Sequence, residues 1–531
     1  MSVRDRVVPG TELLSESRVD AGYAALATLL AVGLIAPLAW LVIDAAGLGS
    51  RAFEFLVADQ TLAVLGRSVA LVSVVTAAAV SVGVPLAVLT VQAALPFRRF
   101  WTVVIALPLA VPSYLGAFAA LSAFGPDGPL STALGVPLPA VEGFAGAAVV
   151  LTLYTYPYVF LTTRASLLSL DASLVEAART LNCGQLESFR RITLPQIVPG
   201  IAAGALLVAL YTLADFGTPN FMNLQVYTQF IYTRHNAHMG GYAALLSLQL
   251  LAVTGVILAV ESAIGADDSG AYASRGNRGA AELDLGAWRY PALALPVLVA
   301  VAALVLPVGI FAMWLIRGGP GYEFTQLSFS WSYGWNSLKV SLLAAVASVL
   351  VALPIALRSV TTGSTASSLT ARIPYVGYAT PGIVLAIALV SFSLDAVPGL
   401  YKTVPLLVFA YVIRFMPQAI GSIRTSTMQV DDRLVEAART LGRSRAGAFR
   451  TVTLPLIVPG IVTGAALVFL TSMKELPATL LLRPLGFDTL VTFIWRARET
   501  GLYGQAAVPA FVLVFVSGLS MAVLLAQEGD R

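Results

Sequence analysis

Long apolar runs alternate with short polar segments along the whole chain. A helix needs about 20 residues to cross a hydrocarbon layer of about 30 Å, and runs of that length occur twelve times, six in each half. The runs are continuous and do not alternate residue by residue, so the pattern predicts transmembrane helices and not the strands of a barrel. The predicted helices are centred near Ala31, Ala78, Leu109, Thr152, Leu206, Leu251, Ala303, Ala345, Leu385, Ala410, Leu467 and Val516.

The polar segments contain a repeat. Residues 174–201 and 434–461 align without a gap at an offset of 260 positions, with 18 identities in 28. A repeat of this kind usually governs the whole architecture. Each half has an even number of predicted spans, so both halves keep the same orientation. We therefore expect an all-α membrane protein built as two parallel six-helix repeats that form a pseudo-dimer.

Composition and charge place this chain in a membrane and orient it. Hydrophobic residues make up 58% of the chain and charged residues 11%, a balance far too apolar for a soluble domain. With the N-terminus inside, 21 basic residues fall in inner segments and 10 in outer segments. Cytoplasmic loops carry the basic excess, so we predict a multi-pass protein of the cytoplasmic membrane. Both termini and both repeated segments are then cytoplasmic.

Four regions follow from this topology. We predict a cytoplasmic N-terminal segment at 1–20, a first half at 21–265, a cytoplasmic linker at 266–287 and a second half at 288–531. The linker is polar and rich in glycine, as flexible linkers are. The first apolar run exceeds the roughly 7 to 15 residues of a signal-peptide core, so we expect it to be a retained helix.

The repeated segments share one spacing. The copies are Glu176-Ala177-Ala178, three residues, Asn182, nine residues, Ile192-x-Leu194-Pro195, and Glu436-Ala437-Ala438, three residues, Gly442, nine residues, Val452-x-Leu454-Pro455. This spacing resembles the EAA signature of binding-protein-dependent ABC importer permeases. Asn182 replaces the family's glycine and Val452 its isoleucine. Asn tolerates the left-handed backbone that ends a helix, so we expect the turn to be kept.

The resemblance implies the fold and the partners. Each half is expected to have the type I (MetI-like) permease fold, with a short coupling helix that docks into a cleft of an ATP-hydrolysing subunit. Two motifs imply two copies of a cytoplasmic ATPase subunit, together with an extracytoplasmic substrate-binding protein. The predicted coupling residues are Glu176, Ala177, Ala178, Arg179, Asn182, Glu436, Ala437, Ala438, Arg439 and Gly442.

The residues of the segment support docking on their own. Ala177 and Ala178 let another backbone approach closely, while Glu176 and Arg179 offer directional charge contacts. The alternative is purely local: Ser173 and Glu176 fit a capping box.

Prolines follow each repeated segment. Pro195 and Pro455 suit the first turn of the next span, where a missing amide proton costs little. Pro199-Gly200 and Pro459-Gly460 lie one turn further in. Such a junction either transmits movement to the spans or serves ordinary helix packing.

Charged residues in or beside the spans are the candidates for a transport pathway. Arg414 lies inside the tenth predicted span, where an arginine costs about 2.5 to 3.5 kcal/mol and must face protein or water. Asp215 and Glu475 align at the offset of 260 positions at the outer ends of the fifth and eleventh spans. We predict that these three residues line the pathway or an outer gate. Interhelix anchoring for Arg414 and interfacial placement for the two acids are the alternatives.

Enzyme chemistry is missing from the pattern. The two histidines, His235 and His238, are too few for a durable metal site. No lysine follows a glycine-rich phosphate loop, and the spans hold no paired carboxylates. We therefore predict no catalytic residue, cofactor or resident metal, and ATP hydrolysis on a separate subunit. The pI of about 9.1 reflects the topological bias, so no nucleic acid partner is expected.

The second half suggests a solute. Its segments Tyr411 to Phe415, Lys474 to Pro484 and Gly486 to Trp495 resemble the fused iron(III) permeases. Iron(III) is therefore the predicted solute, with thiamine or phosphonates, carried by relatives in the same family, as alternatives. A secondary transporter driven by an ion gradient is the rival of another class. It needs titratable groups inside the spans, where this chain has few.

Overall fold

The computed structural model describes residues 28–93, 95–170, 184–266, 286–316, 327–361 and 373–529. Their regular elements are all helices. Nine of the helices in these ranges are long and apolar enough to cross a membrane, and two bent pairs raise the number to eleven. The twelfth predicted run is a shorter apolar helix, Tyr503–Leu519. Every centre predicted from the sequence therefore lies in an apolar helix.

The main helices of the first half are α1 to α9. In chain order they run Thr28–Ala46, Asp59–Val91, Arg98–Ala106, Ser113–Ala123, Gly143–Ser169, Phe189–Ala214, Gly217–Phe221, Tyr227–Asn236 and Gly240–Ala266.

The main helices of the second half are α10 to α19. In chain order they run Gly286–Ile316, Trp331–Thr361, Ile373–Ala379, Gly382–Ala396, Val404–Met428, Asp432–Thr440, Arg445–Met473, Pro477–Leu482, Leu490–Glu499 and Ala507–Gly529.

The third and ninth predicted spans are bent, which the apolar runs did not indicate. The chain turns by 84° between α3 and α4 and by 112° between α12 and α13. Pro112 and Pro381 stand in extended backbone directly before α4 and α13. A proline lacks the amide proton and disfavours helical backbone at the residue before it, so each helix stops and restarts in a new direction.

The two halves repeat the same packing. In the first half α2, α5 and α6 pack against one another, and α11, α14 and α16 do so in the second half. Two glycines spaced by four residues face the neighbouring helix in each half. A side chain on Gly200 or Gly204 would meet Ser166 or Thr162 of α5. Small residues at this spacing bring helix backbones into close contact inside a membrane.

The second half reproduces this contact. A side chain on Gly460 would meet Ser426 and the carbonyl oxygen of Ser422, and one on Gly464 would meet Ala419, all on α14. Ser426, Ser422 and Ala419 lie 260 positions after Ser166, Thr162 and Val159, which a side chain on the glycines of the first half would meet. The contact between the fourth and fifth spans is therefore part of the repeated design.

The first span of each half packs on both halves. Helix α1 contacts α9 in its own half and α13 in the other, and α10 contacts α19 in its own half and α4 in the other. One buried apolar cluster combines α2 to α7 with α10, α18 and α19, and the other combines α1, α8 and α9 with α11, α13, α14 and α17. Each apolar core thus contains helices from both sequence halves, and the halves interlock.

Candidate transport pathway and coupling segment

The second repeated segment forms an isolated helix, α15. The Asp431 carboxylate caps its first turn by accepting from the amide of Arg433 at 2.9 Å. Asp432 in the first turn and Arg439 in the last turn complement the helix dipole. The cap is Asp431 and not the residue aligned with Ser173, so α15 starts without the capping box considered from the sequence.

Gly442 ends this helix. Its φ angle is +86°, a left-handed conformation that glycine adopts at little cost. The amides of Gly442 and Arg443 donate to the carbonyl oxygens of Arg439 and Ala438 at 3.0 and 3.1 Å. This pair of bonds is a Schellman motif, which satisfies the last carbonyls of a helix.

Most of α15 is exposed. None of its residues is buried, and Leu434 keeps 50% of its surface exposed. Leu441, directly after the helix, is 85% exposed. Glu436 and Ala437 are both exposed. The helix contacts the rest of the protein through the first turns of α16. A charged helix with exposed leucines, attached at one end of a span, offers a surface to which a partner can bind.

The first copy of the motif lies outside the described residues. Glu176, Ala177, Ala178, Arg179 and Asn182 fall in the gap between 170 and 184. The coupling helix of the first half stays a prediction.

A π-helical turn opens the fifth span in both halves. It covers Phe189–Thr193 in α6 and Phe449–Thr453 in α16, again at the offset of 260 positions. Pro195 and Pro455 follow directly, in the first turn of the regular helix, as the sequence predicted. A proline ring crowds the carbonyl four residues earlier, so widening the preceding turn relieves the contact. The sequence pattern predicted the place of these prolines but not the π turns.

Arg414 and Glu475 form an ion pair in the second half. The Arg414 Nε and Glu475 Oε2 atoms are 3.4 Å apart, with side-chain exposures of 17% and 7%. Glu475 Oε1 also accepts from the amide of Ala478 at 3.4 Å. A side chain on Gly382, the first residue of α13, would collide with both partners. The ion pair therefore lies directly at the bend between α12 and α13.

Asp215 occupies the matching place in the first half. Its carboxylate accepts from the amides of Gly217 and Thr218 and from the Ser113 hydroxyl, each at 3.3 Å. Ser113 is the first residue of α4, so this acid also lies at a bend. Within the described ranges no basic side chain forms an ion pair with Asp215.

The two bends therefore differ in charge. The position aligned with Arg414 is Tyr154, whose hydroxyl donates to the carbonyl oxygen of Ala303 on α10 at 3.1 Å. Hydroxyl groups lie beside both bends: Tyr211 and Ser113 are 3.1 Å apart, and Tyr411 and Thr479 are 2.6 Å apart. Both bends are therefore polar, but within the described residues only the bend of the second half carries an ion pair.

The end of α16 meets the bend between α3 and α4 across the boundary between the halves. The Lys474 amine lies 3.5 and 3.4 Å from the carbonyl oxygens of Leu109 and Ala110, and the Tyr114 hydroxyl donates to the Lys474 carbonyl at 3.4 Å. In the sequence, Lys474 counts only as one of the outer basic residues. The sequence feature that could have marked Lys474 as a candidate pathway residue is its position next to Glu475.

The two histidines lie at the end of α8. His235 is on α8 and His238 follows it. Burial lowers the pKa of His235, and the nearby His238 and Lys402 add smaller effects in the same direction. Across the described ranges, no group of three or more His, Cys, Asp or Glu side chains is placed to hold a metal ion. Among the described residues, no side-chain hydrogen bond or ion pair joins either histidine to Arg414, Glu475 or Asp215.

A family model matches both halves of the chain. The family described as "Binding-protein-dependent transport system inner membrane component" matches residues 79–265 and 346–527. The two matched stretches contain the fourth and fifth spans of each half, the π turns, and both repeated segments.

Three relatives extend the similarity over most of the chain. The chain is 29% identical to the "Fe(3+)-transport system permease protein FbpB 2" of Haemophilus influenzae, over 93% of this chain and 96% of the relative. It is 26% identical to the "Probable ABC transporter permease protein y4fN" of Sinorhizobium fredii, over 82% of this chain and 81% of the relative. It is 24% identical to the "Ferric transport system permease protein FbpB" of Actinobacillus pleuropneumoniae, over 72% of this chain and 58% of the relative.

These three relatives are transport permeases and not enzymes. The apolar helices, the exposed segment after the fourth span and the doubled family match agree with one another. This chain therefore belongs to the binding-protein-dependent inner membrane permeases of ABC transporters, with two copies of the family's unit in one polypeptide.

Proposed function

We propose that this protein is the permease subunit of an ATP-driven importer and that it forms the pathway for iron(III) delivered by an extracytoplasmic binding protein. The family match over both halves carries the transport function. The iron assignment is supported by the names of the Haemophilus and Actinobacillus relatives. It is also supported by the extent of the Haemophilus similarity, which covers 93% of this chain.

Two ATPase subunits drive the cycle in this proposal, one on α15 and one on the repeated segment at 174–182. The exposed face of α15 supports docking, because nothing in the described part of the chain covers it. In this proposal α15 and both termini lie in the cytoplasm, which the basic excess of the inner segments supports.

Movement of the docked helix reaches the pathway through α16. The π turn at Phe449–Thr453, near the start of this helix, contacts α15. Gly460 and Gly464 leave no room between α16 and α14, so the two helices move together. Arg414 is on α14, and Glu475 follows α16. A displacement at the cytoplasmic end is thereby passed to the bend at Gly382.

Uptake by vesicles tests the function. The protein is reconstituted with its ATPase subunits, and the binding protein is added outside with radiolabelled iron(III). We expect uptake that requires ATP, the ATPase subunits and the binding protein together.

Uptake that persists with an ion gradient and without the ATPase would identify a secondary transporter instead. ATP-dependent uptake of thiamine or a phosphonate, with none of iron(III), would keep the permease function and reject iron.

A further inference from the structure

Lys474 lies at the far end of the molecule from the coupling helix. It directly follows α16, whose 29 residues begin beside α15. At 1.5 Å per residue the two sites are roughly 40 Å apart along this helix. The amine nevertheless crosses to the first half and contacts the bend between α3 and α4.

The acceptors are backbone carbonyls at a helix end. Leu109 closes the short turn after α3, and Ala110 follows it before the chain restarts at Ser113. Carbonyls at the end of a helix carry a partial negative charge that favours a cation. Among the ion pairs of the described residues none involves Lys474. The ammonium group is thus held by dipoles and not by a fixed counter-charge.

Two further contacts close the same boundary. The Tyr114 hydroxyl donates to the Lys474 carbonyl at 3.4 Å. A side chain on Gly217 would lie 2.8 Å from Tyr114 and 3.3 Å from Leu476, so the loops after α6 and α16 leave no gap between them.

The contact is one-sided. Ala214 aligns with Lys474 in the first half and has no amine to offer the bend at Gly382. At this pair of aligned positions only the second half carries an amine.

We propose that Lys474 is a latch that keeps the pathway closed at the end remote from α15. The inference rests on the proposed pathway function. The latch is reversible, because water replaces two carbonyl acceptors at small net cost when the halves separate. The Arg414–Glu475 pair stays within the second half during this step and holds the other bend in shape.

Thiol accessibility tests the latch without ATPase, binding protein or solute. Ser113, next to the carbonyls that Lys474 contacts, is 1% exposed. A Ser113→Cys reporter is placed in a Cys183→Ser background, which removes the single native cysteine. Labelling by a membrane-impermeant maleimide is then followed in vesicles. Lys474→Met should speed labelling by about tenfold, since bonds to a charged group are lost and local opening controls access.

Three further variants sharpen the result. Lys474→Arg keeps a cationic donor and should stay slow, and Lys339→Met removes an exposed lysine and should also stay slow. Tyr114→Phe weakens the same boundary from the first half. It should speed labelling by a smaller factor than Lys474→Met. It also tests the latch if Lys474→Met does not fold.

Equal labelling rates in the Lys474→Met, Tyr114→Phe and Lys339→Met proteins would overturn the latch. So would fast labelling of Lys474→Arg. Failure of ATP-dependent uptake in the intact system would instead count against the proposed function, because the labelling assay needs no transport.

Discussion

At the scale of single residues, the ion pair of Arg414 and Glu475 is the most demanding arrangement in the protein. Both side chains are largely removed from water, and Gly382 leaves no free volume beside them. A buried pair gains little over apolar packing, but removing one partner leaves an uncompensated charge. We therefore regard the pair as a device that fixes the bend between α12 and α13.

This arrangement predicts a specific pattern in thermal unfolding. Glu475→Gln should lower the stability of the purified protein by about 3 kcal/mol, because it strands the Arg414 charge. The double variant Arg414→Gln with Glu475→Gln should lose much less than the sum of the two single changes. Additive losses measured in detergent would show that the two groups do not interact.

Single residues also mark how far the sequence predicts the candidate pathway. An arginine in an apolar run must have protein or water beside it, so the sequence alone is enough to identify Arg414 as a candidate. Its partner was not identified, because Glu475 is 61 positions away and only the fold brings the two together. The contact of Lys474 was missed for the same reason.

At the scale of elements, α15 and the π turn form one unit at the start of α16. The helix is short, its ends are fixed by Asp431 and Gly442, and its surface is exposed. Because both of its ends are fixed, α15 can transmit a displacement to α16, the span that follows it. The resemblance of the repeated segment to the EAA signature implied the second helix, with Gly442 at the position where the family has its glycine. The sequence did not predict the bends, whose prolines sit inside continuous apolar runs.

The glycine end of α15 gives a second prediction. Gly442→Val places a β-branched residue at a φ of +86° and should cost about 1 to 2 kcal/mol in this turn. We expect the protein to remain folded but to retain less ATPase subunit on co-purification.

Gly486→Val is the matched control for this strain. Its φ is +72°, and it lies in the loop between α17 and α18, which belongs to the far end of the second half. Equal loss of the ATPase from both variants would mean that the shape of α15 is not what the partner recognises.

At the scale of the whole molecule, the first spans join the two halves. Helices α1 and α10 each contact helices of both halves, and both apolar clusters combine helices of both halves. The repeat predicted two units related by an offset of 260 positions, but hydropathy cannot say which unit a helix packs against. Only long-range contacts determine that.

These shared contacts predict the behaviour of a divided chain. Two polypeptides split within 267–285 should assemble into a stable complex when they are produced together, because the interlocked packing does not depend on the connection. Each half produced alone should aggregate or be degraded, since it lacks a helix of its core. A first half that purifies alone as a stable monomer would show that it does not need the contacts with the second half.

In the proposed importer, the two repeated segments are the sites at which the ATPase subunits bind, and energy coupling depends on this binding. Co-purification of the ATPase subunit with a double variant, Glu176→Lys with Glu436→Lys, examines this dependence without any transport step. Glu499→Lys, an exposed acid at the end of α18, is the control. If the ATPase subunits bind to these segments, the double variant loses the ATPase while the control retains it. Unchanged co-purification of the ATPase with the double variant would show that the ATPase binds elsewhere.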